Sequence, residues 1–88
     1  MSDDINDTLK QRDRHYGDFS EGAKVMQGIK CAMRSGRNWL VIEHEKREAL
    51  EMIAHKIGRI LNGDPNHKDS WHDIGGYARL IENTLEDE

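Results

Sequence analysis

Lys56 and Arg59 stand one helical turn apart, and across a Gly-Asp-Pro corner they are followed by Asp69, Asp73 and Tyr77. Two cations so spaced on a helix can meet two oxygens of a phosphate group. Carboxylates opposite them can act as hard ligands for a divalent cation, with a tyrosine hydroxyl orienting one or the other. The same side chains also fit a plainer use, an ion pair between Lys56 and Asp73 that ties two helices of a hairpin together. Both readings require those helices to lie side by side in a fixed register.

Glycine and proline divide the chain into four helical stretches. The first helix and its corner take residues 1–17 and stop at Tyr16-Gly17. Asp18 precedes Glu21 at the spacing of a capping box, which opens a second helix over 18–35 with Gly36 placed for a left-handed cap. The third helix is assigned to 39–62, with Leu50, Ile53, Ile57, Ile60 and Leu61 on one face. Its start is ambiguous, because Trp39 to Ile42 reads either as a first turn or as an extended segment packed across the bundle. The fourth helix, 69–86, carries Trp71, Ile74, Ala78, Ile81 and Leu85 at helical spacing. No stretch alternates long enough for a sheet. The expected fold is all-α: one compact, four-helix bundle-like domain over 1–88 whose last two helices form an antiparallel hairpin.

At about 100° per residue, Ala49, Met52, Lys56 and Arg59 share one flank of the third helix. Asp73, Tyr77, Leu80 and Thr84 share the flank of equal sign on the fourth. Counting away from the corner in both directions sets Lys56 against Asp73, Met52 against Tyr77 and Arg59 against Ser70. One seam is therefore expected to hold Lys56, Arg59, Asp69, Asp73 and Tyr77, with Arg14, Tyr16 and Asp18 closing over it if the first corner folds back. Gly75 and Gly76 each cost roughly 1 kcal/mol against alanine inside a helix. Such a pair suggests that another backbone or a ligand comes close.

The hydrophobic and charged fractions are 35% and 34%, so an 88-residue chain has little apolar surface for a self-sufficient core. Pairing with further copies of itself is the expected remedy. A net charge of −4 argues against a general nucleic-acid binder. No apolar run is long enough for a bilayer, the acidic start is unlike a secretion signal, and a single cysteine fits a reducing cytoplasm.

Three segments, "RDRHYGDFSE", "HKIGRI" and "KDSWHDIGGYA", resemble small uncharacterised phage and prophage proteins. In that family an Arg…Tyr-Gly segment precedes a Lys-Ile-x-Arg helix and a Ser-Trp-x-Asp-Ile-x-Gly-Tyr helix. A more distant similarity is to the MazG-like all-α nucleoside triphosphate pyrophosphohydrolases, four-helix oligomers that hold magnesium on Glu-x-x-Glu and Glu-x-x-Asp helices. That resemblance implies magnesium held on carboxylates, for which Asp73, Asp69 and Glu48 are the candidates; the seam itself offers Lys56, Arg59 and Arg14 for phosphate, with Tyr77 and Tyr16 completing the site. Ser70 stands where the Glu-x-x-Asp pattern has its glutamate, and helical counting turns Glu48 and Glu51 away from the apolar stripe.

The function so implied is binding of a nucleotide's phosphates with magnesium, with hydrolysis left open, by a homo-oligomer in the host cytoplasm. The alternative is a small non-catalytic protein that binds a host or phage protein. Among the histidines, His44 and Glu48, and likewise Glu51 and His55, read as a solvated charged face rather than a zinc site. His67 and His72 read as caps or exposed contacts, Cys31 as a buried or half-buried structural thiol, and Met26, Met33 and Met52 as core.

Overall fold

The computed structural model describes residues 3–86, which form α1 (Asp3–Tyr16), α2 (Phe19–Arg34), α3 (His44–Asn62) and α4 (Lys68–Glu82), with no strand among them. α2 starts where the capping spacing places it: the Asp18 carboxylate accepts the Glu21 N–H at 3.1 Å. Its end differs from expectation. The Gly36 N–H donates to the Met33 carbonyl at 3.0 Å and the Ser35 hydroxyl to that of Ala32 at 2.6 Å, so the last turn closes without a left-handed residue. The positive φ of 80° belongs to Gly17.

The third helix begins at His44, not at 39. Trp39 to Ile42 is neither helical nor extended; it is a run of turns in which the Val41 and Ile42 N–H groups both donate to the Asn38 carbonyl at 3.0 Å. Arg47 accounts for this. Its guanidinium donates to the Trp39 carbonyl at 2.7 Å and the Leu40 carbonyl at 2.9 Å, and it lies over the Trp39 ring. Those carbonyls then need no helical partners. α4 runs from Lys68 to Glu82 and so stops short of 86, leaving Leu85 in a turn beyond it.

α3 is the central element. α1, α2 and α4 all touch it, while α2 and α4 do not meet each other. α3 and α4 pack as the expected antiparallel hairpin: Lys56 meets Asp73 near the corner, and Ala49 and Ile53 share a groove with Ile81 and Tyr77 at the far end. The buried positions are mostly small, namely Gly22, Ala49, Ala54, Gly58 and Ser70, with Ile60 the one large side chain among them. Met26, Met33 and Met52 are half-buried, and Cys31, expected to be at least partly covered, is exposed. Helices brought together by small residues approach closely but leave large apolar groups outside. Phe19, Leu40 and Val41 are 84%, 81% and 75% exposed. The radius of gyration is 15.4 Å, against about 12 Å for a spherical domain of this length. No helix among the described residues is long and apolar enough to cross a membrane.

Candidate functional site

Two corners interlock to build the site. Asn62 ends α3, and its amide nitrogen donates to the carbonyls of Tyr16 at 3.2 Å and Asp18 at 2.9 Å. The Asp64 N–H donates to the His15 carbonyl at 2.7 Å. Glycine permits the approach: a Cβ on Gly17 would strike the Asn62 backbone, and one on Gly63 would strike the backbone of His15 and Tyr16. Along the helices, Met26 of α2 packs where a Cβ on Gly58 of α3 would stand, so the side chain would have to move to admit one.

Behind this knot lies a cleft of about 420 Å³ between α1, α2 and α3. Leu9, Phe19 and Met26 supply apolar wall; Arg12, His55 and Arg59 supply nitrogen donors; Tyr16 closes one end. The Arg59 guanidinium sits 4.2 Å from the centre of the Tyr16 ring, a cation–π contact that fixes both side chains. Burial pushes the His55 imidazole below its ordinary value, and the positive charges of Arg59, Lys30 and Lys56 push it the same way. At neutral pH it is therefore an uncharged ring near the Arg59 guanidinium, in a cleft that Arg12 also lines. Asp13 and Asp18 stand at the edge, with the Asp18 carboxylate committed to capping α2.

Lys56, one residue on from His55, turns toward α4. Its Nζ lies 2.9 Å from Asp73 Oδ2, with the lysine side chain 12% exposed and the aspartate 40%. The Lys56 hydrogen bond holds the Asp73 carboxyl below the usual carboxylate range, outweighing the opposing effect of desolvation; the charges of Lys56, His72 and Arg59 add to it. The register read from helical counting thus brings together the pair it names.

The rest of the predicted seam divides. Arg59 lies against the Tyr16 ring while its charge still reaches Asp73, and Arg59 and Tyr16 both line the cleft with Asp18, so the first corner does fold back onto α3. Tyr77, one turn beyond Asp73, lines a separate apolar groove with Ile42, Lys46, Leu50 and Ile53. Asp69 and Glu48 are exposed, and with Asp73 they make no group of ligand atoms close enough for one ion. Arg14 is exposed and lies outside the cleft lining. Gly75 and Gly76 have nothing within 4 Å of where a Cβ would stand, so no other segment among the described residues approaches them there. Glu51 and His55, assigned to the solvated face, are half-buried. Arg12, Phe19 and His55 are site residues that pattern reading passes over. The available signal was the placement of His55 one turn before Arg59.

No curated protein matches the chain, and neither does any solved structure. A family model described as a domain of unknown function, DUF6378, matches residues 3–85. Spanning nearly the whole sequence, that match shows the chain to be a member of the DUF6378 family.

Proposed function

We propose that the cleft between α1, α2 and α3 binds the phosphate groups of a nucleotide, in a phage-type, MazG-like protein that works as a homo-oligomer in the host cytoplasm. The observation that carries this reading is the pairing of Arg12 and Arg59 in one apolar cleft. Guanidinium forks suit phosphate oxygens, and a base or sugar can lie on Leu9, Met26 and Tyr16. The uncharged His55 adds a hydrogen bond without further charge repulsion. Lys56, neutralised by Asp73, drops out of the phosphate set, and Arg12 takes its place.

Magnesium needs several oxygen ligands in near-octahedral array. Asp73 is engaged by Lys56 while Asp69 and Glu48 are exposed and apart, so these residues do not fit one ion within a single chain. Magnesium would therefore arrive only as a companion of the phosphates. Oligomer formation is supported by the thin core beside the exposed Phe19, Trp71, Leu80 and Leu85. The same exposed groups support the second reading, a non-catalytic protein that binds a host or phage protein.

Thermal melting with a panel of nucleoside triphosphates, with and without magnesium, separates the two. Ligand at a hundred times its dissociation constant should raise the midpoint by on the order of 10 °C. Arg59→Met, checked for intact helical content, should remove the shift. No shift with any nucleotide removes the proposal, and a defined host complex from the same preparation would then favour the second reading.

A further inference from the structure

We infer that His15, Asp64 and His67 form a binding site for a divalent transition ion of the zinc type, which fastens the end of α1 to the α3–α4 corner. One ligand atom from each side chain lies within 4.8 Å of the other two. His15 comes from the last turn of α1, Asp64 from the corner after α3, and His67 from the residue that opens α4. The group is distinct from the phosphate cleft and stands whether or not that cleft takes a nucleotide.

The backbone that carries these groups is already fixed. The Asp64 N–H donates to the His15 carbonyl, Gly63 seats the corner against His15 and Tyr16, and the His67 N–H donates to the Asp64 carbonyl at 3.2 Å. The Asp64 carboxylate is oriented by the Asn66 N–H, which donates to Oδ1 at 2.9 Å. His67 occupies the N-cap position of α4, yet its side chain makes no capping hydrogen bond. Its ring instead lies beside that of His15, with centroids 4.7 Å apart and planes inclined by 31°. A histidine at a cap position that does not cap, placed against a second imidazole and a carboxylate, has the donor atoms of a metal ligand.

Two imidazoles and one carboxylate suit zinc, cobalt or nickel, whereas magnesium and calcium take oxygen. Three protein ligands leave a fourth position for water. Tetrahedral zinc sets its ligand atoms about 3.3 Å apart. From the present spacing, the side chains of an exposed His15 and half-buried Asp64 and His67, which solvent can reach, have to rotate inward to hold the ion. The Tyr16 ring packs edge-on to His67 at 5.7 Å and carries Arg59 on its face. An ion on His67 therefore also steadies the end wall of the cleft.

Cobalt serves as the probe, because its visible absorption reports coordination directly. Titrated into the tag-free, metal-stripped full chain, it should saturate at one ion per chain, be displaced by zinc and be unaffected by magnesium. His15→Ala and His67→Ala should each weaken binding by about 10-fold or more, since losing even a group that only supports a ligand reaches that scale. His72→Ala, at an exposed position on α4 outside the group, should bind as the parent does. Circular dichroism confirms that each variant is helical, and the exposed His15 site leaves folding intact. Absence of saturation in the parent chain overturns the assignment, as does equal weakening by His72→Ala.

Discussion

Gly17 and Gly63 on one side, and Gly75 and Gly76 on the other, put the same residue type to opposite uses. At the interlocked corners a Cβ on either glycine would strike backbone atoms of a segment far away in sequence. On α4 the paired glycines border open space. Glycine in the first region is required by geometry within the chain, so its benefit is tertiary. In the second region it carries the helical penalty with no compensation inside one molecule. The exposed α4 face, with Trp71 57% and Leu80 62% exposed, is thus the part of this fold whose composition a single chain does not explain.

The largest effect expected from this contrast is at Gly17. Gly17→Ala combines a left-handed backbone, about 1–2 kcal/mol, with a clash against Asn62 worth about 1–3 kcal/mol. A loss of about 3 kcal/mol, read by urea or thermal unfolding, is expected; a loss under about 1 kcal/mol would show that the corners part easily. Next come Gly75→Ala and Gly76→Ala. Each should stabilise a lone chain by about 1 kcal/mol through helix propensity. If the substitutions instead reduce the number of subunits in native mass measurements, α4 is where copies approach closely, and the contrast between the two regions becomes one of inner and outer contact.

The smallest effect is in pH. His55 is held below its ordinary value of 6.5, chiefly by burial, so the folded state disfavours its charged form. The unfolded chain takes up the proton first, and stability present above 6.5 is lost as pH falls toward the lowered value. Asp73, held low by Lys56, loses its share only below the ordinary carboxylate range of 3.8. Melting midpoints should therefore fall in two separate steps on acidification. His55→Gln should flatten the first and spare the second; if it spares both, His55 is not the group responsible.

Local rules carried much of the fold. The Asp18 cap, the limits of α2 and the Lys56–Asp73 register follow from spacings of a few residues and the periodicity of a helix. What escaped depends on contacts between remote segments. Asn62 bonds to carbonyls more than forty positions earlier, and no periodicity announces a side-chain amide that will cap another corner. Arg59 was placed on the right element, but its contact with Tyr16 hung on whether the first corner folds back, because a helical count gives direction around one axis and says nothing of where α1 returns. His55 was misassigned for the same reason: the face opposite the α4 contact is solvent in a hairpin, yet α1 and α2 cover it here.

Arg47 reaches back from α3 to grip two carbonyls of the segment that leads into it. Leu40 and Val41 are consequently presented as a fixed knuckle rather than as the tip of a swinging tether. A surface that met this knuckle would have no wandering backbone to bring to rest, so little of the attraction would be consumed by lost freedom.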